Sequence, residues 1–298
     1  MPATVLDLFE ICYQYRHGGV KDISFSAASG ESIALFGEAG SGKTTLLRLL
    51  SGQLSPQSGM VRVFGRAPRS VRKKVGHAAE NARLNPLFTA QQVVTHQVAR
   101  QDVSGAQRPA RVAEALELVG LSEVRDRPVR ELSSGQRTAL TIAAALAPRP
   151  ALVVMDNLTA FLPPELSGKI CHYLDARRAK DGLTLVHATT VSSEAERADR
   201  VLLLDAGCPL AFDTPDQLIG NHSADTVTIE AADPDAVQRT LRGIFDVEIE
   251  AIDGGLTFRA ADGMATAAHL FRHPPGGVRT VYVQRPTLWD VIETLKAG

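Results

Sequence analysis

The sequence predicts a layered α/β domain with a phosphate-binding loop, followed by a smaller α+β domain. Three observations predict it. A short apolar segment, Ser32–Phe36, runs into a glycine-rich loop and then into the apolar segment Thr44–Leu50. Compact apolar runs at Ala151–Met155, Leu183–Ala188 and Val201–Leu204 read as buried parallel strands alternating with helical stretches. Beyond residue 221 the pattern changes to short strands and two helices. The 298 residues suffice for about two domains.

In chain order, Ser32–Phe36 is a strand and Thr44–Leu50 a helix closed by Gly52. Val71–Ala78 reads as a further strand. The stretch from about Glu80 to Ala147 reads as helical, as in Arg111–Val119 with Gly120 as its stop. A polar junction, Asn221–Asp225, separates a first domain (1–220) from a second (221–298). The second holds a strand (Thr226–Glu230), a helix opened by Asp233-Pro234 and stopped by Gly243, and a strand with Val247, Ile249 and Ala251 in alternation. The turn Asp253-Gly254-Gly255 leads to a strand (Leu256–Arg259), a helix (Asp262–Phe271) and a strand (Val278–Val283). That order is βαββαβ, a ferredoxin-like unit. A last helix starts near Thr287, with Asp290 in the capping-box position.

Composition sets limits. Hydrophobic residues make up 44% and charged residues 22%, with a formal net charge of −1, so there is no electrostatic case for nucleic acid as a partner. The short basic run Arg69, Arg72, Lys73, Lys74 has no aromatics beside it. The longest apolar runs, such as Thr138–Ala147, fall short of the ~18 residues of a membrane span. The N-terminal residues lack the features of a signal peptide. The expectation is a cytoplasmic chain that meets a membrane only through a partner. Cys12, Cys171 and Cys208 lie far apart and suggest neither disulfides nor a zinc site. His269 and His273 share i,i+4 spacing, but no nearby acid completes a metal site, and a surface helix explains them.

The chemistry concentrates in Gly37-Glu38-Ala39-Gly40-Ser41-Gly42-Lys43-Thr44, which fits G-x-x-x-x-G-K-[ST] between a strand and a helix. Glycines bring backbone N–H groups against phosphate oxygens, and the helix N-terminus adds partial positive charge. Lys43 supplies a point charge for the β- and γ-phosphates, and the Thr44 hydroxyl suits Mg²⁺. Asp156 ends an apolar strand, where an acid holds Mg²⁺ at the phosphate end of a sheet. Between them, Leu132-Ser133-Ser134-Gly135-Gln136-Arg137 opens a helix of small and apolar residues, either an anion-binding surface or a helix cap.

Together, in this order and spacing, these segments resemble the nucleotide-binding domain of ATP-binding cassette (ABC) proteins, over about residues 4–220. The resemblance implies a P-loop NTPase cassette: a mixed sheet plus a helical subdomain at about 81–147. It implies ATP and Mg²⁺ as cofactors, with ATP contacts at Tyr15, Gly37, Glu38, Ala39, Gly40, Ser41, Gly42, Lys43, Thr44, Thr45 and Glu80, and metal contacts at Thr44 and Asp156. Tyr15 sits where the family places an aromatic on adenine; alternatively it is an ordinary strand tyrosine. Ser133, Ser134, Gly135 and Gln136 look like the family signature, which would touch the ATP of a second cassette in a head-to-tail dimer. Thr159-Ala160, Glu194-Ala195-Glu196-Arg197 and Asp199-Arg200-Val201 also sit where the family has them. A membrane permease is the implied second partner, docking on about residues 81–131. The tail Arg285-Pro286-Thr287-Leu288-Trp289-Asp290-Val291 resembles ATPase subunits of bacterial exporters with a separate permease chain.

Three departures fall in the chemistry. Asn157 follows Asp156 where the family has the glutamate that polarises the attacking water. Thr190 stands at the switch histidine, with His187 three residues too early and better explained as a core histidine. Pro163 replaces an aspartate that signals across the dimer. Glu80, at a loop glutamine, is a mild change. Hydrolysis at this chain's own site is therefore expected to be slow, and a heterodimer with one competent site is favoured. The alternative is a soluble ABC protein using ATP as a switch; it usually carries two cassettes or coiled-coil insertions, and no heptad run occurs here.

Overall fold

The computed structural model describes every residue except 1–2, 81, 102, 158–161, 245–248, 253, 273–277 and 298. The chain divides into two compact units, Met1–Thr214 and Pro215–Gly298.

The first unit opens with strands β1 (Thr4–Gln14), β2 (Gly19–Ala28) and β3 (Ser32–Phe36), helix α1 (Lys43–Leu50) and strand β4 (Ser58–Val63). There follow β5 (Val75–Ala78), α2 (Ala90–Ala99), α3 (Arg108–Leu118), α4 (Ser134–Leu146), β6 (Leu152–Asp156) and α5 (Pro164–Asp181). The unit ends with β7 (Thr184–Thr189), α6 (Ser192–Ala195), β8 (Arg200–Asp205) and β9 (Cys208–Asp213). Six strands form one sheet in the order β5-β6-β7-β3-β8-β9, parallel except for β9, which returns antiparallel on β8. A second, antiparallel sheet has the order β2-β1-β4.

The central strands are buried on both faces, and the side-chain alternation of a strand divides them between two cores. On one face, Leu152, Val154 and Val186 meet Leu46, Leu47 and Leu50 of α1 and the inner face of the antiparallel sheet. On the other, Val153, Met155 and Leu185 meet Ile170 and Leu174 of α5 and the apolar side of α4. The far end of α5 is tied to the sheet by Arg178, whose Nε donates to the Gly30 carbonyl at 3.0 Å and whose Nη2 pairs with Asp199. Asp199 in turn accepts from the Ser32 N–H at 2.8 Å.

One sequence expectation changes in this unit. The strand expected at Val71–Ala78 is confined to Val75–Ala78, because Pro68–Ser70 and Arg72–Lys74 form 3₁₀ turns ahead of it. The sequence expectations do not include the antiparallel sheet, although Ile23, Phe25 and Ala27 of β2 alternate with exposed neighbours. Irregularities interrupt the pairing of β1 with β2, and Glu10 (φ 48°) and Asp22 (φ 55°) adopt left-handed backbone, so the period of two is broken. Glycine meets glycine where this sheet touches the larger one. A Cβ on Gly42 would lie 2.7 Å from the Gly19 carbonyl oxygen, and one on Gly207 only 2.6 Å from the same atom. The Lys21 N–H donates to the Gly207 carbonyl at 2.8 Å.

The second unit comprises α7 (Pro215–His222), β10 (Asp225–Ala231), α8 (Pro234–Ile244), β11 (Ile249–Ile252), β12 (Gly255–Ala260), α9 (Gly263–Arg272), β13 (Val278–Gln284) and α10 (Leu288–Ala297). Its sheet is antiparallel throughout, in the order β11-β12-β10-β13, the split βαβ arrangement of a ferredoxin-like unit. Val227, Ile229, Leu256 and Phe258 of the sheet pack on Val237, Leu241 and Leu270 of the helices. Residues 220/221, read as the domain junction, fall inside α7, which packs on α10 and belongs with this unit. Gly243 does not stop α8, which continues to Ile244. Val247, Asp253 and His273 lie outside the described residues. Asp290 caps α10 by accepting from the Thr287 N–H and hydroxyl, both at 2.7 Å.

Leu47 is fully buried between α1 and the sheet. Leu47→Ala should lower unfolding stability by about 2–5 kcal/mol, read as a shift of the denaturation midpoint at unchanged slope.

Candidate functional site

The five residues of β3 are all buried and end where the glycine-rich loop begins. The loop's path is set by backbone geometry that a side chain would prevent. Gly37 has φ 152°, and a Cβ there would lie 2.1 Å from the Leu204 carbonyl oxygen. Gly42 (φ 99°) is the N-terminal cap of α1, pressed against the Gly19 carbonyl as described. Only glycine tolerates both the torsion and the approach.

The loop closes around the ammonium of Lys43. Its Nζ donates to the Gly37 carbonyl (2.7 Å), the Glu38 carbonyl (2.7 Å) and Ser41 Oγ (3.3 Å). Burial pushes the Lys43 pKa down, and the nearby charges of Asp156, Glu38 and Glu80 push back. One turn into the site, Thr44 Oγ1 donates to Asp156 Oδ1 at 3.2 Å. Burial raises the Asp156 pKa, against the Thr44 hydrogen bond and the charges of Arg48 and Lys43. The donor set fits a triphosphate with Mg²⁺. Phosphate oxygens are stronger acceptors than the loop carbonyls Lys43 now holds, and the Thr44 hydroxyl with the Asp156 carboxylate offers the hard oxygens that Mg²⁺ prefers.

A cleft of about 400 Å³ opens over these residues. Tyr15, Ala39, Gly40, Gly42, Lys43, Thr44, Thr45, Glu80, Asp156, Asn157 and Thr190 line it, so residues up to 175 positions apart meet in one site. Gly37, Glu38 and Ser41 do not line the cleft but hold Lys43, Gly37 and Ser41 from buried positions and the exposed Glu38 through its backbone carbonyl. His17, Gly18 and Gly19 also line the cleft and were missed by the sequence reading. The one available signal was the Gly18-Gly19 pair, a turn just after Tyr15. Tyr15 is not a strand tyrosine. It follows β1, its N–H donates to the Gly18 carbonyl at 3.0 Å, and its side chain is exposed, with the ring edge-on to Tyr13 at 5.0 Å.

The remaining sequence candidates sort themselves around this cleft. Asn157 holds left-handed backbone (φ 49°), and its N–H donates to the Ala188 carbonyl at 3.0 Å. Its Oδ1 is buried without a hydrogen-bond partner. Thr190 follows Thr189, whose hydroxyl donates to Glu194 Oε2 at 2.7 Å and accepts from the Val191 N–H at 3.0 Å. His187 points elsewhere, lining a separate cavity beneath α5. Ser133–Gln136 do not line the cleft. Ser133 caps α4 by accepting from the Gln136 N–H at 3.2 Å, and Gln136 Oε1 accepts from the Ser133 N–H at 2.9 Å. Thr159 and Ala160 lie outside the described residues. Among the described residues, no cluster of three His, Cys, Asp or Glu could hold a metal ion.

Comparison with known proteins agrees with this geometry. Residues 20–160 match the ABC transporter family. The Nod factor export ATP-binding protein of Bradyrhizobium diazoefficiens is 34% identical over 229 residues, covering 75% of this chain and 74% of that protein. This chain belongs to the ABC transporter ATP-binding family. The methionine import ATP-binding protein of Brucella abortus is 36% identical over 219 residues, 69% of this chain and 59% of that protein. The cassette thus spans less than two thirds of that relative's length. An energy-coupling factor transporter ATP-binding protein of Symbiobacterium thermophilum is 37% identical over 231 residues, covering 74% and 79%. Among solved structures, a dimeric ATP-binding cassette in a post-hydrolysis state bound to ADP and Pi superposes with TM-score 0.65 at 26% identity, covering 70% of this chain and 98% of that one.

Two substitutions probe the loop. Lys43→Ala should weaken binding of a non-hydrolysable ATP analogue by about 10- to 100-fold, the span of one or two lost charge-assisted hydrogen bonds. Gly37→Ala should abolish saturable analogue binding, because the new methyl displaces the loop from Leu204. Calorimetric titration of each variant reads both effects.

Proposed function

We propose that this cassette is the ATP-binding subunit of an ABC transporter whose own site grips Mg-ATP and hydrolyses it slowly. The observation that carries the reading is Asn157. It sits one residue beyond Asp156, in the wall of the phosphate cleft, where its amide offers no proton acceptor to an attacking water. General-base catalysis contributes about 10²–10⁴-fold to such a step, or roughly 3–5 kcal/mol of barrier. Thr190, also in the wall, brings a short neutral hydroxyl rather than an imidazole. The binding parts keep their chemistry. In a bound complex Lys43 and the loop N–H groups would hold the phosphates, Thr44 and Asp156 would hold Mg²⁺, and Tyr15 would offer its exposed ring to the base.

Binding ATP at a dimer interface follows from what the single chain lacks. Ser133–Gln136 do not line the cleft that holds Lys43. A second cassette in head-to-tail orientation supplies that segment. With this chain's catalytic side impaired, a partner cassette with an intact glutamate would make one working site using Ser133, Ser134, Gly135 and Gln136 from here. No described helix is long and apolar enough to cross a membrane, and a separate permease is the partner this reading gives to the transport step. The helical part between β5 and α4 exposes Leu87 and Phe88 beside a shallow groove along α2, a surface suited to an apolar coupling helix. Export is the favoured direction. It rests on the Arg285–Val291 tail and on the export relative, which matches across three quarters of both chains.

Two measurements test the reading. Steady-state phosphate release by the purified chain should be slow, and Asn157→Glu should raise it at least ~10-fold, with Thr190→His adding to the gain. Brisk turnover by the unaltered chain, equal to that of Asn157→Glu, would overturn the slow-site reading. Co-purification from membranes should bring down a multispanning protein and a second cassette; ribosomes or nucleic acid instead would favour the soluble switch.

A further inference from the structure

Helix α9 of the second unit carries an apolar face that no other element covers among the described residues. Its inner side is fixed. Gly263, Thr266, Ala267 and Leu270 are buried, Leu270 within the core of the unit. The Gly263 N–H donates to Asp225 Oδ2 at 2.8 Å, and Asp262 Oδ1 accepts from the Ala265 N–H at 2.8 Å. A Cβ on Gly263 would lie 2.6 Å from Val283 Cγ1 and 2.7 Å from Asp225 Cβ, so the start of the helix sits close on the sheet.

The opposite side presents Met264, Ala265, Ala268, Phe271 and Arg272, all exposed. Met264, Ala268 and Phe271 are spaced four and then three residues apart, which stacks them in one stripe. Met264 is 61% exposed and Phe271 71%, the highest value for a large apolar side chain among the described residues. Contiguous exposed apolar surface flanked by charge marks an interaction face.

The order of residues along the stripe selects the occupant. A large side chain stands at each end and a methyl group in the middle. Two copies crossing antiparallel, with a twofold axis beside Ala268, bring Met264 of each against Phe271 of the other, and the small central residues let the helices approach closely. A thioether against an aromatic ring is a favourable contact in its own right. The same register brings the exposed Asp262 carboxylate of each copy towards the exposed Arg272 guanidinium of the other, so charge and shape agree. A lipid surface fits the face less well, because anionic headgroups drawn to Arg272 would be repelled by Asp262.

We propose that α9 is a self-association surface: two copies of this chain pair through antiparallel α9 helices, with Met264 on Phe271 and Asp262 on Arg272 across the twofold axis. The contact uses no part of the nucleotide cleft and does not rest on the ATP reading. It places no requirement on which cassette completes the ATP site.

Sedimentation equilibrium of the full chain, without nucleotide and with EDTA present, tests the surface. One helix pair buries less than a standard interface, so the expected dissociation constant is about 10–100 µM. Phe271→Asp should weaken association at least ~10-fold, and Ala268→Arg should do the same by blocking the crossing. Both side chains are exposed, so the melting temperature should hold in each variant. Arg272→Glu should weaken association about three- to fivefold at low salt, and the difference should shrink at high salt as repulsion from Asp262 is screened. A chain that stays monomeric well above the expected range, or a dimer indifferent to both Phe271→Asp and Ala268→Arg, overturns the surface. A dimer that forms only with Mg-ATP belongs to the cassette contact and overturns this one. Binding of a monomeric chain to phosphatidylglycerol vesicles, lost in Phe271→Asp, assigns the face to a membrane instead. Failure of the chain to bind ATP leaves this measurement unaffected, so the two readings are judged separately.

Discussion

The site depends on a buried ammonium held by the loop that surrounds it. Lys43 has three acceptors, all from Gly37–Ser41, and no water-exposed alternative is needed to satisfy its three protons. That arrangement fixes the loop before any ligand arrives, because a buried charge without partners is far costlier than the backbone torsions that Gly37 and Gly42 adopt. The rest of the unit serves this geometry. β3 delivers the chain to the loop, β8 blocks side chains at Gly37 through the Leu204 carbonyl, and β6 brings Asp156 beneath Thr44.

Much of this was legible in the sequence because phosphate chemistry constrains neighbouring residues. The loop from Gly37 to Thr44 is contiguous, and the strand before it and helix after it are short and strongly apolar. Asp156 was legible for the same reason, as the polar end of an unbroken apolar run. The ferredoxin-like order was readable because Asp233-Pro234, Asp253-Gly254 and Thr287 mark its turns. What could not be read depends on long-range pairing. β1 pairs with register shifts, so the sheet that precedes Tyr15 keeps its period of two only in short stretches such as Ile23, Phe25 and Ala27 of β2. His17 and Gly19 enter the cleft only because that sheet folds back onto the loop. The division read at 220/221 falls within α7 rather than at Thr214/Pro215, because the packing of α7 on α10 lies about 70 residues downstream in sequence, beyond any local pattern.

In the proposed reading, grip and turnover are separable because different strand ends carry them. The phosphate loop hangs from β3 and is secured by glycine geometry and Lys43. The groups expected to steer water hang from the ends of β6 and β7, at Asn157 and Thr190. Asparagine accepts the left-handed torsion at 157 readily, so its presence leaves the backbone and the Ala188 hydrogen bond in place while removing a titratable group. The slow site we propose therefore requires no rearrangement of the fold.

The contact of Gly19 with Gly42 and Gly207 has a mechanical consequence. With no side chain at any of the three positions, the hairpin joining β1 to β2 presses directly on the main chain at the start of α1 and at the bend between β8 and β9. Backbone seated on backbone leaves no rotamer to absorb displacement. The turn that follows Tyr15 and the start of the phosphate loop's helix are thereby kept in register by main-chain contact alone.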